Sequence, residues 1–303
     1  MKLYSINTGH FKLDGGAMFG VVPKSIWNKL NPADENNMCS WALRCLLIED
    51  EGKLILVDNG MGNKQDEKFF GHYYLHGDDT LEKSLAKHGF VKDDITDVFL
   101  THLHFDHCGG SIVKDGDKLV PAFKNATYWS NERHWKWATA PNAREKASFL
   151  KENIFPIAES GQLKFLNVSR ETSKMSLDPS GNNASPHDSR LTIHTSNLIS
   201  NLSFYSVSGH TDTMMLPKLN YKGRTIVYMA DLLPSAAHIP LPYVMAYDMF
   251  PLTTLNEKKA FLTEAQQNDH ILFFEHDPLI ECCTLQQTEK GIRQNETFKL
   301  VDL

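Results

Sequence analysis

The chain has 303 residues, with 31 Lys and Arg against 37 Asp and Glu for a net charge of −6, and is 41% hydrophobic and 22% charged. This length and composition suit a single folded domain over residues 1–303 and exclude a disordered chain, while mild acidity without a Lys/Arg cluster argues against nucleic-acid binding, which needs a concentrated basic face. No run approaches the 18 or so apolar residues of a membrane span, and Met1-Lys2-Leu3-Tyr4-Ser5-Ile6-Asn7 lacks the apolar core of an export signal, so a cytoplasmic protein without a membrane partner is expected.

Taken in chain order, the apolar and alternating stretches Met1–Ile6, Cys39–Ile48 and Lys53–Val57 read as strands, the last running into Asp58-Asn59-Gly60. Leu81–His88 reads as a helix, with Leu81 and Leu85 on one face and Gly89 placed to terminate it. Ile95–Leu100 reads as a buried strand that delivers the chain to Thr101-His102-Leu103-His104-Phe105-Asp106-His107-Cys108-Gly109-Gly110. From Asn131 to Phe155 the pattern is helical, and 169–189, dense in Ser, Asn, Asp, Pro and Gly, reads as a surface loop. The second half repeats the logic of the first. Strands at Leu202–Val207, Arg224–Met229 and His270–Phe274 end at His210, Asp231 and His276 respectively, with a helix at Asn256–Gln267 between the last two.

Histidine is the unusual component, at 14 residues. His102, His104, Asp106 and His107 crowd the end of a strand, where packing alone would favour Leu or Val. In extended chain, His102 and His104 project to one face and can share an ion; the turn that follows redirects Asp106 and His107 toward a second. Imidazole nitrogen and carboxylate oxygen are the donors zinc takes in catalytic sites, and a carboxylate buried among imidazoles is costly without a cation. His210, Asp231 and His276, each at the end of a buried strand, extend the set. The five cysteines (Cys39, Cys45, Cys108, Cys282, Cys283) have neither disulfide-framework nor zinc-ribbon spacing and read as free thiols.

HxHxDH at His102–His107, followed in order by isolated His210, Asp231 and His276, resembles the metallo-β-lactamase superfamily of metal-dependent hydrolases. The resemblance implies a four-layer αββα sandwich: two mixed sheets face to face, with helices on the outer faces. It also implies two divalent metal ions, taken as Zn²⁺. His102, His104 and His210 would hold one, Asp106, His107 and His276 the other, and Asp231 would bridge them, with Asp106 also orienting the attacking hydroxide and Asp58 supporting the ligand loop from behind. Two such ions share a bridging water and bring its pKa toward neutrality, which provides hydroxide without a basic side chain.

The chain looks most like the lactonase-type branch, which includes N-acyl homoserine lactonases. Gly15–Pro23, with Met18, Phe19 and Val21, is expected to wall a pocket for an acyl chain, and Trp135, Trp137, Tyr243 and Met245 to form the opposite wall. The known acyl homoserine lactonases carry a tyrosine three positions after the bridging aspartate, where this chain has Pro234. The expectation is therefore a hydrolase of some lactone or small ester, with His238 or Tyr243 replacing the missing donor. The alternatives are a phosphotriesterase or another phosphoester hydrolase of the superfamily and, from a different class, a non-catalytic metal-stabilised binding protein. The expected partner is a small-molecule substrate, and a homodimer is expected by resemblance.

Overall fold

The computed structural model describes residues 1–168 and 191–303, so the loop expected at 169–189 lies outside the described residues. In chain order the strands are β1 (Lys2–Asp14), β2 (Met38–Asp50), β3 (Lys53–Val57), β4 (Asp97–Phe99), β5 (Ile112–Asp115), β6 (Lys118–Pro121), β7 (Thr127–Asn131), β8 (Leu163–Leu166), β9 (Thr192–Thr195), β10 (Leu202–Val207), β11 (Met214–Tyr221), β12 (Arg224–Tyr228), β13 (Ile271–Phe273), β14 (Cys282–Thr288) and β15 (Gly291–Phe298). They form a six-stranded sheet ordered β1-β2-β3-β4-β7-β8, a seven-stranded sheet ordered β15-β14-β13-β12-β11-β10-β9, and a β5-β6 ribbon. Both large sheets are mixed: β3-β4, β4-β7, β7-β8 and β12-β13 pair parallel, and the remaining neighbours antiparallel.

Period-two alternation explains the layering, because successive residues of a strand point to opposite faces. Leu46 and Ile48 of β2 and Ile55 and Val57 of β3 pack with Phe204 and Leu216 of the second sheet, forming the core between the sheets. The intervening Cys45, Leu47, Leu54 and Leu56 face outward, where Leu81, Leu85, Ile154 and Ile157 of the covering helices meet them. Phe99 and Phe204 touch edge-on across the interface, ring centroids 5.8 Å apart. On the far side, the helix Pro251–Gln267 lays Phe261 against Tyr205 at 5.8 Å. The β2-β3 turn at Glu51-Gly52, φ 50° and 74°, has the left-handed pair that suits a two-residue hairpin.

Three expectations differ from the structure, the first being that the helix expected at Asn256–Gln267 begins at Pro251, a favoured first-turn residue. The first strand continues to Asp14, because alternation resumes after a register shift between Asn7 and His10 and pairs the whole length with β2. The helical stretch Asn131–Phe155 is two helices, Glu132–Thr139 and Lys151–Glu159, and the segment between them carries Glu145 to the site described next. No helix among the described residues is long and apolar enough to cross a membrane.

Candidate metal centre

The strands β3, β4, β10, β12 and β13 all end at one rim, and just beyond them lie Asp58, His102, His210, Asp231 and His276. His102 and His104 project from the extended link after β4, and the one-turn helix Phe105–Cys108 then swings Asp106 and His107 inward. Asp58 is fully buried with a left-handed φ of 54°. Its Asp-Asn-Gly sequence is not a hairpin turn, since β3 pairs parallel with β4.

Three side-chain groups converge there. Ligand atoms of His102, His104, His210 and Asp231 lie within 4.8 Å of one another, and so do those of Asp106, His107 and His276; Asp58, His107 and Glu275 form a third group. In the first, His104 Nδ1 is 3.1 Å from His102 Nε2 and 3.2 Å from His210 Nε2, and His210 Nε2 is 3.0 Å from Asp231 Oδ2. In the second, His107 Nε2 and His276 Nε2 are 3.2 Å apart, and each is 3.8 Å from Asp106 Oδ2. Asp231 sits between, with Oδ1 3.2 Å from His276 Nε2. A tetrahedral zinc with donors at about 2.0–2.1 Å separates them by roughly 3.3 Å, so the spacing within the first group fits such an ion.

The outer ring nitrogens fix the inner ones as lone-pair donors. Those of His102, His104, His107, His210 and His276 meet, respectively, Thr101 Oγ1 (3.1 Å), Glu145 Oε1 (3.0 Å), Asp58 Oδ2 (3.1 Å), Asp248 Oδ1 (2.9 Å) and the Ala42 carbonyl (2.8 Å). Partners of this kind set the tautomer and orientation of metal-binding histidines. Asp58 also accepts from the Thr101 amide at 2.8 Å and its hydroxyl at 2.7 Å, which ties the end of β3 to the ligand segment.

The electrostatics also favour a cation. Burial opposes charge on the rings, yet Glu275, Asp231 and Asp106 hold His107 well above the usual imidazole range. Against the same burial, Asp231 and Asp248 raise His210 to about 10, and Asp231 raises His276 to about 9. His102 and His104 are instead lowered, chiefly by burial. Asp231 is held well below the carboxylate range by His210, His107 and His276 despite its burial. A site that draws protons onto rings whose inner nitrogens face one another supplies negative potential that a metal would neutralise. Asp231 Oδ1 is buried without a hydrogen-bond partner, an acceptor available to an ion.

A cavity of about 360 Å³ opens over these groups, lined by His104, Asp106, His210, Asp231 and His276 below and by Leu13, Met18, Tyr73, Phe105, Met245 and Tyr247 among the walls; Arg144 lines it as well. Of the residues expected around a substrate, Met18 and Met245 are there and the others lie elsewhere. Phe19 is buried in the stack of Trp27 and His238, at 5.3 and 4.7 Å. Val21 is 91% exposed, and Tyr243 packs edge-on behind Phe19. His238 is buried, with one ring nitrogen on Ser235 Oγ at 2.7 Å and the other on the Met18 carbonyl at 2.9 Å, so neither faces the cavity. Trp135 packs on Phe155 and Phe165, and Trp137 donates to Glu145 Oε2 at 2.6 Å, reaching the centre only through His104's partner. The reason is common to all: Gly15–Phe19 folds as a short helix that turns one side chain inward, while the opposite wall comes from 245–249. Sequence reasoning missed Glu145, Asp248 and Glu275, isolated acids without ligand spacing. Only Glu275, beside His276 at a strand end, carried a positional signal. Cys108 is a buried thiol on the Leu103 carbonyl at 3.3 Å, pushed up to about 12 by burial.

Comparison with known proteins agrees with this geometry: the metallo-beta-lactamase superfamily model matches residues 44–276. The chain belongs to that superfamily. It is 32% identical over 120 residues to the N-acyl homoserine lactonase AiiA of Bacillus thuringiensis subsp. kurstaki, covering 36% of this chain and 44% of that protein. An N-acyl homoserine lactonase of Bacillus cereus is 30% identical over 165 residues, covering 51% and 56%. The chain thus spans about half the length of the curated relatives it matches. Over whole chains, a probable metal-dependent hydrolase from Staphylococcus aureus superposes with a TM-score of 0.81 at 25% identity, covering 98% of this chain and 96% of that one. AidC, a dizinc quorum-quenching lactonase solved with its product, gives 0.72 at 22% identity over 98% and 94%.

Proposed function

We propose that this superfamily member is a dinuclear metal-dependent hydrolase that opens a lactone or small ester. The observation that carries the reading is the position of the ligand groups: they floor a cavity of about 360 Å³ with largely apolar walls. His102, His104 and His210 would hold one ion and Asp106, His107 and His276 the other, with Asp231 between the two groups, its Oδ2 3.0 Å from His210 Nε2 and 3.4 Å from His107 Nε2 and its Oδ1 3.2 Å from His276 Nε2. The donor set of imidazoles and carboxylates suits zinc. When bound, a pair of divalent ions supplies Lewis acidity, which acidifies water toward neutrality and polarises the carbonyl under attack.

The chain's own residues supply the rest. Glu145, Asp248, Asp58 and the Ala42 carbonyl hold the imidazole protons away from the centre, so the inner nitrogens remain free to ligate. Leu13, Met18, Phe105 and Met245 exclude water beside the scissile bond and give an acyl chain an apolar seat, while Tyr73, Ser148, Tyr247 and Arg144 are the hydrogen-bond donors lining the walls. These, rather than His238 or Tyr243, are placed to meet a substrate oxygen.

The test is a panel of lactones, aryl esters, phosphotriesters, β-lactams and cyclic nucleotides, run on metal-quantified protein beside His104→Ala. The expected result is turnover of lactones or small esters that the substitution abolishes together with metal content. Untouched lactones with turned-over phosphotriesters would replace the substrate class. Full metal with no turnover anywhere in the panel would leave the metal-stabilised binding protein.

A further inference from the structure

The helix Pro251–Gln267 carries two neighbouring charged residues whose bonds run to different loops. Glu257 accepts the amides of Ser208 at 2.7 Å and Gly209 at 2.9 Å, the two residues before His210. Lys258 is 1% exposed, and its Nζ donates to the carbonyls of Tyr243 at 2.7 Å, Pro240 at 3.2 Å and Leu241 at 3.4 Å. Consecutive helix residues do not face one another, which is why a single turn can reach both loops. Among the described residues no carboxylate lies within ion-pair distance of Lys258, so three backbone dipoles use up its three donors. Burial lowers Lys258 to about 7 and raises Glu257 to about 7. An ammonium as isolated from water as that of Lys258 is expensive unless it holds something the fold needs in place.

What each holds is distinct. The 208–210 loop delivers a ligand of the first group, and a Cβ on Gly209 would sit 2.3 Å from the Thr254 amide, so the helix and that loop touch backbone to backbone. The 240–243 segment leads into Met245, Ala246 and Tyr247, which form the cavity wall. That wall is tied to the N-terminal helix by the Ala246 amide on the Ala17 carbonyl at 2.8 Å.

We infer that Glu257 and Lys258 are paired positioning residues, Glu257 setting the reach of His210 toward the metal and Lys258 setting the depth of the substrate cavity. The residues grip different segments, although these meet where Asp248 and the amides of Met249 and Phe250 bond His210 and Gly209, so the test reads each segment by its own amide exchange. The kinetic part of the test rests on the hydrolase reading; the metal-affinity and amide-exchange parts need no substrate, so failure of the two ideas can be told apart.

The experiment compares Glu257→Gln and Lys258→Met in the full chain, with Lys258→Gln in reserve should the methionine variant not fold. Zn²⁺ affinity is measured by chelator competition, amide hydrogen exchange by mass spectrometry, and KM and kcat on the best panel substrate at saturating Zn²⁺. Glu257→Gln turns an acceptor facing two amides into one acceptor and one donor. It is expected to weaken Zn²⁺ binding roughly 10–100-fold and to speed exchange at 208–213, with KM within about twofold. Lys258→Met leaves three carbonyls unpaired and is expected to raise KM about tenfold, by roughly the free energy of one such bond to a charged group. Its exchange change should be confined to 240–247 and its Zn²⁺ affinity unchanged. Variants that shift both quantities together, or neither, would overturn the assignment; a panel without turnover would leave exchange and Zn²⁺ affinity to decide it.

Discussion

At the scale of single residues, His238 shows how burial settles a role that chain position leaves open. Its ring lies on Phe19 at an interplanar angle of 3°, with Ser235 Oγ on one nitrogen and the Met18 carbonyl on the other, and burial lowers it to about 3. The neutral ring is thus native over the whole range in which a free histidine titrates. With the folded value below the unfolded 6.5, the unfolded chain binds the extra proton between them. The stability this ring contributes is present above pH 6.5 and is lost as pH falls toward 3. At pH 5 the loss from this group is about 2 kcal/mol. His134, which accepts from the Leu103 amide at 2.9 Å and is lowered to about 4, acts in the same direction. His238→Phe keeps the stack but cannot titrate. Urea unfolding at pH 7.5 and 5.0 should show the variant less stable at the higher pH but about 2 kcal/mol less sensitive to the change. Equal sensitivity in the two proteins would mean that the ring is not held neutral, and a large fall in kcat would restore His238 as a donor to substrate.

At the scale of elements, the ligand segment and the turn after β3 lie backbone against backbone, and glycine is what permits it. A Cβ on Gly109 would sit 2.2 Å from the Met61 carbonyl oxygen, and one on Gly110 2.2 Å from that of Asn59. The amide of Asn59 meets the His107 carbonyl at 2.9 Å, that of Gly110 meets the Gly60 carbonyl at 2.9 Å, and Lys64 Nζ caps the Gly109 carbonyl at 2.5 Å. Gly109→Ala must push the segments apart, and a loss of about 1–3 kcal/mol is expected, with reduced metal content because His107 moves too. Gly71, in the helix Glu67–Tyr73, has nothing within 4 Å of such a Cβ and no left-handed φ, so Gly71→Ala should stabilise by about 0.4–1 kcal/mol. Unfolding curves in which the two alanines have equal effects would refute the close-approach argument. The same contrast shows what a sequence can carry. Lys53–Val57 and Leu202–Val207 are legible to the residue because short apolar, β-branched and aromatic runs are a local signal, and HxHxDH because a strand and a turn fix its geometry within a few residues. Glu145 and Asp248 reach their histidines across 41 and 38 positions, a separation no periodicity encodes. The cavity wall is not legible for a related reason: apolar character marks both core and pocket, and only packing sends Phe19 to the core and Met18 to the pocket.

At the scale of the whole molecule, the centre joins the two halves of the chain. His102, His104, Asp106 and His107 follow the first sheet, and His210, Asp231 and His276 the second, so metal ions bound to them would add a link between sheets already joined by apolar packing and by hydrogen bonds such as the Ala42 amide on the His276 carbonyl at 3.0 Å and the Met215 amide on the Thr101 carbonyl at 2.9 Å. The unfolded chain does not bring these seven together, so metal binding would favour the folded state by mass action. At free Zn²⁺ a thousandfold above each dissociation constant the gain is about 4 kcal/mol per ion and about 8 kcal/mol for the pair, which for a chain of this length moves the midpoint of thermal unfolding by about 13 °C. Calorimetry of Zn²⁺-loaded and chelator-stripped protein should show that difference as a shift of one cooperative transition, because both sheets lose the same link. Re-addition of Zn²⁺ should restore the midpoint, and His104→Ala should flatten the response to Zn²⁺ and also lower the stripped midpoint, because Glu145 Oε1 loses its partner. A midpoint within a degree before and after stripping would mean that the rings converge for hydrogen bonding among themselves. A shift confined to one of two resolved transitions would mean that the ions sit on one sheet and do not couple the halves.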